Sequence, residues 1–303
     1  MDIEILSAES LGVRGLCCYV KTRQRNILID PGFALGYMRH KLLPHPRQVV
    51  MAERARHRII SLWGKATDIV ISHFHGDHVP LVNANPYQLH AKELTGLNSM
   101  ARFWSKNPDH LSPNETLRKE SLKAVFDAQF LPGEGVRDGP LYFSLAVPHG
   151  DPDITDELVM MSLVEEDIRF LHAPDIQLLC DQTVSQILEW QPDILIAGGP
   201  PLYLARLTEE QINRAWQNAL RLARGIDRFV LDHHLLRSTE GIAWLGKLST
   251  FAGKPVLCAA DFMRRKRMLM EAERETLYRN FPVPEGWHED YAKGKATTQN
   301  YRQ

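Results

Sequence analysis

Cysteine is scarce in this chain, with four in 303 residues. Cys17 and Cys18 are adjacent, poorly placed to bond each other, and Cys180 and Cys258 stand apart. That spacing offers neither a disulfide framework nor a thiolate zinc clamp, so reduced thiols in a cytoplasmic protein are expected. Long apolar runs are also missing: nothing approaches the ~20 consecutive apolar residues of a membrane span. The opening "MDIEILSAES" lacks the basic start and apolar stretch of a secretory leader. Nor is there an excess of charge. With 36 basic and 37 acidic residues the net charge is −1, which gives no global attraction to nucleic acid or anionic lipid. What is present is an ordinary globular composition, 44% hydrophobic and 24% charged, long enough for an ample core.

Short strand-like runs open the chain: "IEIL" at 3–6, "LCCYV" at 16–20 and "NILID" at 26–30, the last ended by Pro31–Gly32. A helical pattern over 46–63 precedes "DIVIS" at 68–72. Residues 84–128 read as a helical insertion, with Ser112 and Glu115 forming a capping box. Strands return at 141–147, 158–164 and 168–173, after which helix and strand alternate. The clearest helix starts at Thr208, which forms a capping box with Gln211. Its apolar stripe is Ile212, Trp216, Ala219 and Leu220, and Gly225 caps its end. The pattern predicts one α/β domain over 1–303 with two strand-rich halves and a helical C-terminal extension over 261–303.

Directly after "DIVIS" come His73, His75, Asp77 and His78. In extended backbone His73 and His75 project to one side, and Gly76 permits the turn that returns Asp77 and His78 toward the same point. Imidazole and carboxylate suit zinc, iron or manganese. One turn cannot complete a catalytic metal centre. Further donors stand where other strands stop: His149 in "VPHGD", Asp175 in "HAPDIQ", and His233 with His234 in "LDHHLLR".

These residues resemble the metallo-β-lactamase-fold metallohydrolases, whose His-x-His-x-Asp-His motif matches His73, His75, Asp77 and His78. "NILIDPG" at 26–32 resembles that family's early strand, and the later donors follow in the family's order. "GGPPLYL" and "DHHLLR" look like an uncharacterised, mainly archaeal subgroup. The resemblance implies a four-layer αββα sandwich and two divalent ions, with zinc favoured and iron or manganese as alternatives. His73, His75 and His149 would hold one ion and Asp77, His78 and His233 the other, with Asp175 bridging. His233 and His234 could exchange roles, although "LDHHLLR" aligned on His233 places Arg237 on an arginine of the tRNA 3′-processing branch. Asp30 is similar to a carboxylate that orients a ligand imidazole. Two departures are visible: Val79-Pro80-Leu81 replaces the glycine that often follows the motif, and Ala173-Pro174 precedes Asp175.

The implied reaction is hydrolysis by a hydroxide shared between the ions. Asp77 or Asp175 would orient it, and His234 or His172 would protonate the leaving group. Substrates could be a phosphodiester or nucleic acid, placed slightly ahead, or a small lactone or thioester. An iron redox protein and a non-catalytic metal-binding module are the other readings. Arg206, Arg237 and "RRKR" at 264–267 could bind phosphate, or the run could be a solvated helix face. No membrane partner is expected, and the oligomeric state stays open.

Overall fold

A computed structural model of the protein describes residues 1–302. The first half runs β1 (Asp2–Ile5), β2 (Cys18–Lys21), β3 (Asn26–Ile29), α1 (Pro46–Trp63), β4 (Asp68–Ile71), β5 (Arg102–Ser105), α2 (Pro113–Phe126) and β6 (Phe130–Pro132). The second runs β7 (Arg137–Asp138), β8 (Leu141–Pro148), β9 (Leu158–Glu165), β10 (Arg169–Ala173), α3 (Asp181–Glu189), β11 (Ile194–Ala197), α4 (Glu209–Gly225), β12 (Arg228–Leu231) and α5 (Glu240–Ala252). Three short helices follow: α6 (Ala259–Phe262), α7 (Arg274–Asn280) and α8 (Trp287–Ala292).

The strands form two six-stranded sheets, in orders β1-β2-β3-β4-β5-β6 and β12-β11-β10-β9-β8-β7. Period-two alternation sorts the first sheet's side chains onto opposite faces. Cys18, Val20, Ile27, Ile29, Val70 and Trp104 face the second sheet and join its Phe143, Met160 and Phe170 in one core. Cys17, Leu28, Ile69, Ile71 and Phe103 face outward, where Val49, Ala52, Ile59 and Leu62 of α1 cover them. The adjacent cysteines therefore lie in different cores, and both are free thiols. Helices α3, α4 and α5 cover the second sheet through Val184, Ala215, Ala219 and Leu245. The result is the αββα sandwich of the metallo-β-lactamase fold.

Strand direction collects the functional loops. β3 and β4 are parallel, so Asp30 and Ser72 leave the first sheet at one end. β10, β11 and β12 are parallel. β8 shares their direction because β9 is antiparallel to both β8 and β10. His149, Asp175 and His233 therefore leave the second sheet at a common end.

Two expectations need correction. Residues 84–128 are not a helical insertion: they contain β5, which pairs with β4 and β6 inside the first sheet, and only α2 is a full helix. The i, i+3 spacing of Ala91, Leu94 and Leu97 imitates a helix, but Asn98 turns the chain. Its amide donates to Trp63 and Ala66 carbonyls, and its carbonyl accepts from Met100 and Ala101. The extension expected over 261–303 is helical only in short pieces, α7 and α8, and is not one continuous helix. Arg264 has φ +52, and Met268 N–H is drawn to the Ser10 carbonyl at 2.8 Å, so a tertiary bond overrides local propensity. Among the described residues no helix is long and apolar enough to cross a membrane.

Candidate metal centre

At the end of β3, Asp30 is fully buried with φ +47. It accepts from Ser72 N–H at 2.8 Å, from Ser72 Oγ at 2.6 Å and from His78 Nδ1 at 2.9 Å. His73 Nδ1 lies 2.9 Å from Ser72 Oγ. These bonds fix both rings by one nitrogen and leave each Nε2 free to face the centre.

Asp175 sits at the junction. Its Oδ2 is 2.9 Å from His149 Nε2, 3.3 Å from His73 Nε2 and 3.9 Å from His75 Nδ1. Its Oδ1 is 3.1 Å from His78 Nε2 and 3.0 Å from His233 Nε2. The two oxygens thus face two separate groups of donors. His73, His75, His149 and Asp175 offer ligand atoms within 4.8 Å of one another, as do Asp77, His78 and His233. Backbone strain accompanies this convergence: Asp30, Asp175 and His233 all have positive φ (47, 56 and 32°). Such strain persists where the surroundings over-determine it. At His233 the neighbour Asp232 does so, accepting from His233 N–H at 2.9 Å, from Ser10 N–H at 3.0 Å and from Ala259 N–H at 2.9 Å.

The arrangement fits metal ions. Among the described residues His73 Nε2 and Asp175 Oδ1 are buried without a hydrogen-bond partner, a state that is costly unless a cation or water satisfies it. His78 Nε2 and His233 Nε2 converge to 3.3 Å of each other beside Asp175 Oδ1. Electrostatics in the metal-free protein are correspondingly uneven. Burial and the neighbouring His78 push His73 down to about 3. Burial opposes charge on His75 too, but Asp175 and Glu157 outweigh it and lift that ring to about 9. Burial likewise resists ionisation of Asp175, yet the surrounding imidazoles, His78 foremost, hold it well below the usual carboxylate range.

All seven sequence-derived donors come together. Between the paired histidines, His233 takes the place beside Asp77 (3.6 Å) and His78, whereas His234 Nε2 stands 3.4 Å from Asp175 Oδ2. Among the described residues neither ring nitrogen of His234 has a hydrogen-bond partner. Arg237 is buried and spends its donors on His233 Nε2 (2.8 Å), Glu9 Oε1 (3.0 Å), Tyr203 Oη (3.1 Å) and Asp77 Oδ2 (3.3 Å). His172 does not join the site: its Nε2 bonds the Leu16 carbonyl at 2.7 Å deep in the core. The run 264–267 is not at the site either. Arg267 is held by Asp261, and Arg265 and Lys266 line a separate cavity with Glu4, Arg54 and Arg58.

Sequence reasoning missed two outer residues. Glu157 lies 3.5 Å from His75 Nε2 and 3.7 Å from His149 Nδ1, and Gln177 lies 3.0 Å from His149 Nδ1. Neither belongs to a motif. Gln177 is two residues beyond Asp175, but Glu157 precedes β9 in "DITDEL", where nothing separates it from an ordinary loop acid.

No family model matches the chain. Among solved structures, it is similar to the isothiocyanate hydrolase from Delia radicum gut bacteria, at 14% identity and a TM-score of 0.49, covering 85% of this chain and 95% of that one. It is also similar to CmlA, a diiron beta-hydroxylase from Streptomyces venezuelae, at 14% identity and a TM-score of 0.47, covering 84% and 52%. Sequence relatives lie much nearer. A UPF0282 protein of Pyrococcus horikoshii is 31% identical over 290 residues, 92% of this chain and 93% of the relative. Another, from Methanosarcina mazei, is 46% identical over 302 residues, 99% of each. At that identity over essentially the whole length, the chain belongs to the UPF0282 family.

Proposed function

We propose that this protein is a dinuclear metal-dependent hydrolase. The observation that carries the reading is Asp175, whose two oxygens address two complete donor groups. His73, His75 and His149 would hold one ion and Asp77, His78 and His233 the other. Two divalent ions there, zinc by donor type or else iron or manganese, would supply Lewis acidity toward a carbonyl or phosphoryl oxygen and would lower the pKa of a water toward ~7.

The chain's own groups do the rest. Asp77 and Asp175 accept hydrogen bonds and so orient the attacking water. His234 is the buried imidazole left over, beside Asp175 and lining the adjoining cavity. Burial pushes it down to about 4, so it is neutral near pH 7. A neutral ring donates a hydrogen bond to developing negative charge on the substrate more readily than it delivers a whole proton. That role differs from the proton donor inferred for His234 from sequence.

Asp175→Asn is the informative variant. Asn tolerates a left-handed φ as well as Asp does, so the fold should survive with an unchanged circular dichroism spectrum. Turnover of a metal-loaded preparation should fall by ~100-fold or more, in line with removal of a central electrostatic group. A wild-type protein with one tightly bound ion, and with activity undiminished by His75→Ala, would overturn the reading.

A further inference from the structure

We infer that the site takes a small acyl compound (an ester, thioester or lactone) with an apolar group, and not a phosphodiester backbone. This rests on the hydrolase reading and adds its substrate class. In the reaction, water oxygen bonds to the acyl carbon and the C–O or C–S bond breaks. One water proton ends on the leaving heteroatom, and the other leaves as the new carboxylic acid ionises.

A cavity of about 410 Å³ opens beside His149 and His234, the size of a small-molecule pocket. Its apolar wall is Ile154, Leu179, Leu204 and Leu207, and its polar lining includes Asp151, Glu157, Gln177, Tyr203 and Gln211. Ile154, 63% exposed at its mouth, is an apolar side chain left in water until something covers it. A second cavity of about 400 Å³ adjoins His73 and His75 and is flanked by Asp109, Asp156 and Glu157. Glu157 lines both cavities. Against these carboxylates, Arg206 is the one Lys or Arg lining either cavity among the described residues. Arg237 is already committed to Glu9, Tyr203 and Asp77.

Nucleic-acid binding draws its affinity from Lys and Arg that neutralise successive phosphates. Here the densest basic run lines cavities without a candidate ligand, and the approach to the donors is acidic. A polyanion would meet repulsion, whereas a neutral acyl group would bury against leucine and isoleucine. This reverses the preference for phosphodiesters drawn from sequence.

The test compares zinc-loaded protein on p-nitrophenyl butyrate, bis(p-nitrophenyl) phosphate and a single-stranded oligonucleotide. Butyrate ester should exceed the phosphodiester in kcat/KM by about tenfold or more beyond their difference in intrinsic reactivity. Leu204→Asp should lower butyrate kcat/KM about tenfold, because it places a charge in the apolar wall. The same variant should weaken binding of the neutral fluorophore N-phenyl-1-naphthylamine, a readout independent of catalysis. A labelled oligonucleotide should bind no tighter than the ~10 μM typical of non-specific contacts. Faster turnover of the phosphodiester or oligonucleotide, or tight salt-sensitive oligonucleotide binding, overturns the substrate class and leaves the hydrolase reading standing. If all three probes go unhydrolysed with two ions bound, the hydrolase reading falls and the substrate class with it.

Discussion

Glu157 shows how much of a site can depend on a residue that no motif marks. Its carboxylate faces the outer nitrogens of His75 and His149, and that contact, made chiefly by His75, holds it down at about 2. Together with Asp175 it keeps His75 protonated up to about pH 9 in the metal-free protein. A metal ligand must be neutral, so the ion has to displace that proton. Metal uptake near neutral pH should therefore release protons, and apparent affinity should rise as pH climbs toward 9. Calorimetric titration of metal into stripped protein, in buffers of different ionisation enthalpy, reads this directly; a buffer-independent heat contradicts it. Glu157→Gln removes one of the two carboxylates that sustain the charge. Fewer protons should then be released, while affinity falls ~10–100-fold, as for other outer partners of ligand histidines. Chelator competition separates that loss from any change in folding.

At the scale of elements, the donors were legible because the fold places them where buried strands stop. The ends of β4 and β12, residues 69–71 and 229–231, are uninterrupted buried apolar runs, and a polar residue just beyond such a run, like His73 or His233, stands out. β5 was illegible for the opposite reason. "RFWS" is four residues long, and its pairing with β4 and β6 is set by partners that are remote in sequence. The link between β3 and β4 is more than a strand pairing, since Asp30 ties Ser72 and His78 to the first sheet. Asp30→Asn keeps the volume and the tolerated φ but replaces one accepting oxygen by a donor. At least one buried partner is left unsatisfied, at a cost of about 1–3 kcal/mol. Urea unfolding of the metal-free protein should show this loss before metal is considered. Equal midpoints for variant and wild type would mean that Asp30 holds nothing in place.

Over the whole molecule, the segment beyond α6 is part of the frame behind the metal centre. Glu271, almost fully buried, accepts from Gly36 N–H at 3.0 Å and pairs with Arg14, with Arg39 and Arg274 nearby at 3.6 and 3.9 Å. Arg14 lies 3.7 Å from Glu9, Glu9 is bonded to Arg237, and Arg237 reaches Asp77. An alternating chain of acidic and basic side chains thus runs from a candidate metal ligand to the C-terminal segment, with burial and the nearby Glu271 pushing the Glu9 carboxyl up to about 8. Sequence could not show it, because its members lie up to 262 positions apart, from Glu9 to Glu271, and each looks like an ordinary surface charge. Burial opposes ionisation of Glu271, but Arg14 and Arg237 outweigh it and hold the carboxyl at about 2. Its folded pKa is therefore below the ordinary 4.5. The stabilisation is complete above 4.5 and is lost as pH falls through 4.5 toward 2. Glu271→Gln leaves the buried Arg274 and the partly exposed Arg14 and Arg39 without this counter-charge, a loss of about 3 kcal/mol for a pair broken on one side. Urea midpoints should drop sharply at neutral pH, and the gap between wild type and variant should narrow on acidification as the wild-type carboxylate is protonated. A gap of constant size across that range would mean that packing, and not charge, is what Glu271 contributes.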